Sequence, residues 1–183
     1  MTHTLALESK PAAADAAGGN LLTWILAWSE LTAFGALLLA FVVASLLDPA
    51  AFTSGRANLH TLLPLTNTLI LLCSGWAAAK AATQLIQQRQ SLWLVAAAAG
   101  GLLFFSLKLL EYRAEGVSLL AEDAFTQLYL LITGFHALHV LFGSLVLGIV
   151  ALRPNRENVH LITTLWHVID LVWLVVFPVI YLL

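Results

Sequence analysis

Thr133-Gly134-Phe135-His136-Ala137-Leu138-His139-Val140-Leu141-Phe142-Gly143 sits inside an otherwise apolar run from Phe125 to Leu152. Such a run is long enough to cross a bilayer, for which about 20 mainly apolar residues rising about 1.5 Å each suffice. His136 and His139 stand near its middle, three residues apart, and so share one helical face. Imidazoles at that depth usually face protein rather than lipid, because an unpaired polar group is costly in hydrocarbon. The stretch therefore predicts a membrane helix around whose histidine face other helices are arranged.

Working outward, four more apolar runs appear, over residues 21–47, 62–84, 91–112 and 160–183. Only 10% of residues are charged, where a soluble domain carries about a quarter. The runs are continuous rather than alternating, so they do not read as strands of a membrane barrel. An all-α, five-transmembrane-helix bundle remains, since helices satisfy their own backbone in lipid. The expected organisation is one membrane domain over 21–183, preceded by a disordered or surface-lying tail over 1–20, with Asn20 or Thr23 capping the first helix. The first apolar run is too long for a cleavable signal and is read as retained. Residues 48–61, with Asp48-Pro49 and Ser54-Gly55, read as a turn-rich connection. The formal net charge of −2 gives no nucleic-acid footprint. The single cysteine, Cys73, cannot form an internal disulfide and reads as a small buried packing residue.

The polar residues inside the runs carry the functional question. Glu30 lies about 14 Å into the first span. It is either a neutral, hydrogen-bonded packing residue or a protonatable or lipid-facing carboxyl. Asn67, Ser74 and Gly75 suit a helix-contact seam in the second span. Lys108 and Glu111 are three apart and can pair on one face, although Lys108 could also snorkel outward. In the fifth span His167 and Asp170 are three apart, and Trp166, Asp170 and Trp173 share a face. Glu30, His136, His139 and Asp170 fall at similar depth, which establishes level but not proximity. The two histidines are expected to bond acidic partners on neighbouring helices, with a proton-handling network as the sharper reading. A metal site is weakly indicated, since neither HxxxH nor HExxH occurs. No nucleophile–base signature points to an enzyme. An independent small transporter or channel is the alternative, but five spans do not divide into two equal repeats. Basic residues around the N-terminal side number five (Lys10, Lys80, Arg89, Arg153, Arg156) against three opposite (Arg56, Lys108, Arg113). That bias places the N-terminus in the cytoplasm and the C-terminus outside.

Taken in order along five consecutive spans, Ser29-Glu30, Asn67-Thr68, Glu111-Tyr112, Thr133–Val140 with Gly143, and Trp166-His167-Val168-Ile169-Asp170-Leu171-Val172-Trp173 identify a pattern. The chain resembles subunit III of the haem–copper oxidase superfamily in its short five-helix form. The resemblance implies a non-catalytic partner of a large haem–copper subunit in a bacterial inner (cytoplasmic) membrane. It would have no haem, copper or other cofactor of its own, with a structural phospholipid as the one expected ligand. It would support assembly, lipid binding, sustained turnover and proton uptake. Glu30 looks like the carbodiimide-reactive glutamate of the family's Ser-Glu motif. His136, His139 and Glu111 look like its structural and lipid-adjacent polar residues. Two extra N-terminal helices of the longer members, which form half of a lipid cleft, have no counterpart here. Lys108 stands where oxidase members more often have a neutral polar residue. The ending Trp173–Leu183 and Asn67-Thr68-Leu69-Ile70-Leu71-Leu72 is similar to the subunit-III-like accessory protein of bacterial nitric oxide reductase. Oxygen respiration and denitrification therefore both stand as expectations.

Overall fold

The structure is a computed structural model and describes residues 10–57, 59, 62–116 and 123–182, with side chains from residue 21 onward except that of Leu22. Six helices make up all of the described regular structure: α1 (Lys10–Leu47), α2 (Pro49–Ala57), α3 (Leu62–Thr83), α4 (Gln87–Ala114), α5 (Ala124–Leu152) and α6 (Arg156–Tyr181). Five of them, α1 from Thr23 onward and α3 to α6, are long and apolar enough to cross a membrane. The all-α, five-span expectation is met.

Two boundaries differ from expectation. The first helix starts at Lys10, with Pro11 in its first turn, where a missing N–H costs little. Residues 10–20 are thus helix rather than tail, and neither Asn20 nor Thr23 stands at its start; residues 1–9 lie outside the described ones. The connection read over 48–61 contains a helix, α2. Asp48 accepts a hydrogen bond from the Ala51 amide through Oδ1 (3.2 Å) and Pro49 opens the first turn. Phe52 then locks α2 into an edge-to-face group with Phe41 and Phe125, at centroid distances of 5.1 and 5.5 Å. A side chain at Gly55 would run into the Phe125 ring, so the glycine is there for close approach, not for a turn.

The core is a ring of four helices in which α3 packs on α4, α4 on α5, α5 on α6 and α6 back on α3. Short connections make chain neighbours antiparallel. α1 docks outside the ring on α6 and α5. Small residues draw the helices together. The Ser74 hydroxyl donates to the Ala97 carbonyl (2.7 Å), and a Cβ on Gly100 would lie 2.7 Å from that of Ser74. Trp166 of α6 fills a slot between Gly101 and Gly143; a Cβ on Gly143 would lie 2.8 Å from its Cζ3. Cys73 is exposed, not buried as expected. The inward positions of α3 around it are Leu71, Ser74, Gly75 and Ala78, which turn Cys73 to the opposite face.

Candidate functional site

The polar residues do not form one site. They divide into four groups: one in an aromatic layer at the centre of the ring, and three at different seams of the bundle.

At the centre of the ring, His136 is fully buried and lies nearly parallel to Trp173 at 5.0 Å between centroids. Phe104 and Phe34 meet it edge-on at 5.7 and 5.8 Å. Neither of its ring nitrogens has a hydrogen-bond partner among the described residues. The expectation that His136 bonds an acidic residue is therefore not met; its neighbours are aromatic. A three-residue step turns about 60° short of a full circle. That is enough to put His136 inside the ring and His139 at its edge. Asn67 is equally buried, and neither its oxygen nor its nitrogen is hydrogen-bonded among the described residues. Its neighbour Thr68 does the cross-linking instead, accepting from Trp173 Nε1 (2.9 Å) and donating to the Pro64 carbonyl (2.8 Å).

The second cluster lies between α1 and α5. His139 Nε2 is 3.1 Å from Glu30 Oε1, and its Nδ1 is 2.8 Å from the Phe135 carbonyl. Both nitrogens are engaged. The two side chains remain 25% and 27% exposed, so the pair is reachable from the surrounding membrane. The acidic partner expected for a histidine on a neighbouring helix is thus found for His139.

The third group joins α3 and α6. His167 Nδ1 stands 3.7 Å from Asp170 Oδ2, and Asp170 lies directly on Gly75. The Asp170 carboxyl therefore faces α3, on a different seam from Glu30 and His139. Equal depth does not bring the four together.

The densest polar group surrounds Lys108. Its side chain and that of Glu111 are fully buried and joined at 2.8 Å. Lys108 Nζ also contacts the hydroxyls of Tyr129 (3.2 Å) and Tyr181 (2.5 Å), so the three N–H bonds of an ammonium find three partners. The rings of Tyr112, Tyr129, Tyr181 and Trp173 surround it at 5.0–5.6 Å from centroid to nitrogen. Tyr181 donates to Glu111 Oε1 (2.6 Å), while Tyr129 reaches Glu111 (3.0 Å) and Glu115 (2.8 Å). Tyr129 has a single proton, so only one of these acceptors takes it at a time. The pairing of Lys108 with Glu111 agrees with expectation; outward snorkelling does not occur, because the aromatic box and the Glu111 carboxylate lie inward. Tyr129, Tyr181, Thr68 and Trp173 were not singled out from sequence as polar contacts. The available signal was an aromatic residue with a polar tip on the inner face of a helix, at the level of a buried charge.

On the outer surface of α4 and α5, Phe105, Leu109, Tyr112, Leu131, Gly134 and Leu138 line an open apolar groove of about 620 Å³. Among the described residues, no group of three or more His, Cys, Asp or Glu could hold a metal ion.

The family description "Cytochrome c oxidase subunit III" matches residues 10–183, which include every long helix and every cluster above. The chain belongs to the cytochrome c oxidase subunit III family. As a subunit III protein it is a multi-pass membrane protein and a non-catalytic member of its class. A cytochrome c oxidase subunit 3 of Synechocystis sp. is 29% identical over 167 residues, covering 85% of this chain and 71% of the relative. That of Thermostichus vulcanus is 28% identical over 169 residues, covering 85% and 82%. The Latimeria chalumnae protein of the same name is 34% identical over 132 residues, covering 65% of this chain and 49% of its own length.

Proposed function

We propose that this subunit III protein is the accessory subunit of a haem–copper terminal oxidase in a bacterial cytoplasmic membrane. There it stabilises the large catalytic subunit and sustains its turnover. The observation that carries this reading is the family match across all five membrane-crossing helices. The names of the similar proteins favour oxygen over nitric oxide as the substrate of the complex. The polar clusters support a structural role: each lies where two or more helices of the bundle pack together. The groove on α4 and α5 suits an acyl chain, with Tyr112 and Gln127 as polar groups in its lining, and is the proposed seat of a structural phospholipid. The N-terminus lies in the cytoplasm and the C-terminus outside, as the distribution of Lys and Arg favours.

The test is purification from native membranes through a tag on this chain. The expected result is a large haem-bearing subunit in the same complex, oxygen uptake by that complex, and phospholipid retained through washing. A complex that reduces nitric oxide but not oxygen would reassign the substrate. A chain that purifies alone and moves a solute in proteoliposomes would replace the reading with that of a transporter.

A further inference from the structure

α6 packs on α3 along one flank and on α1 along another, while α1 and α3 make no substantial contact with each other. The surface of α6 between them is therefore the floor of a trough. Its residues are His160, Thr164, His167, Leu171 and Leu174, spaced by four, three, four and three, all exposed or half-buried. His167 borders Gly75 of α3, and Leu171 borders Leu31 and Gly35 of α1. The alternating spacing keeps all five on one face of α6.

The chemistry of the floor separates it from a lipid-facing surface. Polar side chains continue along it to His167, 11 residues beyond Arg156 and so about 17 Å into a 26-residue helix. The Thr164 hydroxyl is satisfied by the His160 carbonyl (2.8 Å). His167 is not satisfied: its side chain is 46% exposed, only Nδ1 approaches Asp170, and Nε2 makes no hydrogen bond within the described residues. Asp170 Oδ1 is also without a partner among the described residues. Glu30 and His139 make the contrast, since that half-exposed pair engages both imidazole nitrogens. Hydrocarbon cannot satisfy the open imidazole, whereas a protein helix can. When the Asp170 carboxylate, 3.7 Å away, is charged, the neutral ring carries its proton on Nδ1, and Nε2 is then an acceptor. A hydroxyl, an amide or an indole N–H opposite complements that tautomer.

We infer that the trough between α1 and α3 receives a transmembrane helix of the large haem-bearing subunit, which sets a hydrogen-bond donor against His167. This rests on the accessory-subunit reading above. The complex is first purified with the unaltered chain; if no haem-bearing subunit accompanies it, that reading fails, and this inference with it. Given the complex, a photo-crosslinking residue is placed at Leu171. A second is placed at Leu103 of α4, exposed on the helix diagonally across the ring from α6. Leu171 is expected to capture the large subunit, and Leu103 lipid. Capture of the large subunit from Leu103 alone, or of only lipid or a second copy from Leu171, overturns the inference while leaving the function intact. In parallel, His167→Phe is expected to lower retention of the large subunit on detergent washing about tenfold, the weight of one interhelical hydrogen bond. His167→Asn, which keeps an acceptor, should restore part of it. Retention by His167→Phe equal to that of the unaltered chain, with circular dichroism unchanged, also overturns it.

Discussion

Lys108 is a charge-bearing side chain with no exposed surface, and its environment states what its removal does. Lys108→Met leaves the Glu111 carboxylate buried beside two tyrosines that cannot neutralise it. Loss of one partner from such a pair costs about 3–5 kcal/mol, whereas replacing both with apolar residues is often near neutral. Thermal unfolding of the detergent-solubilised protein should therefore fall sharply for Lys108→Met and much less for Lys108→Met with Glu111→Leu. Equal losses would mean that packing, not charge pairing, holds the cluster. Glu30 and Glu111 differ in access as well. A hydrophobic carbodiimide should label the half-exposed Glu30 and leave the fully buried Glu111 unmodified, as peptide mass mapping would read. The spacing of Lys108 and Glu111 made their pairing readable from sequence, because helical geometry is local. The tyrosines that complete the cluster come from α5 and α6, and no local rule brings them there. His136 and His139 teach the same point. Their spacing indicated a shared face, but the 60° between them decided which one met an acid, and that depends on where α1 docks.

At the scale of the helix, ends and contact points carry the sensitivity. Asp123 caps α5 by accepting the Thr126 amide (2.8 Å). Hydrogen bonds from Thr126, with the side chain first and the amide second, hold its carboxyl below the ordinary carboxylate range. Such a depressed group contributes stability that is complete above the unfolded value and disappears as pH falls through the folded one. Protection of the first amides of α5 from hydrogen exchange should fall in that acidic window. Asp123→Asn, which caps without titrating, should remove this pH dependence, and Asp123→Ala should cost about 1 kcal/mol at neutral pH. Gly143→Ala drives a methyl into Trp166 and should destabilise by about 1–3 kcal/mol, measured by the same thermal unfolding. The five long helices could be read from sequence because apolar length alone requires them. α2 could not, since Pro49 and Gly55 look alike in a turn and in a capped helix pressed against a ring. The faces also stayed hidden: Cys73 points outward because its neighbours claim the seam, a fact of packing rather than composition.

For the molecule as a whole, the ring of α3 to α6 holds the buried polar load, and α1 is a helix laid against it. Glu30→Gln keeps a hydrogen-bonding side chain opposite His139, its amide N–H donating to Nε2 while Nδ1 donates to the Phe135 carbonyl, so assembly with the large subunit and most of its turnover should survive; disassembly on gel filtration would show that the charge itself is needed. The ring also has an order of completion. Lys108 and Glu111 emerge from the ribosome well before Tyr181, which follows Lys108 by 73 residues. At about 5–20 residues per second this leaves roughly 4–15 s in which a newly inserted α4 displays its ion pair without the last hydroxyl that closes around it. During that interval the unfinished chain carries a mark that the finished protein conceals. A membrane chaperone or protease that binds intramembrane charge would tell the two apart by that mark, and arrest of synthesis before α6 should lengthen such binding in proportion to the pause.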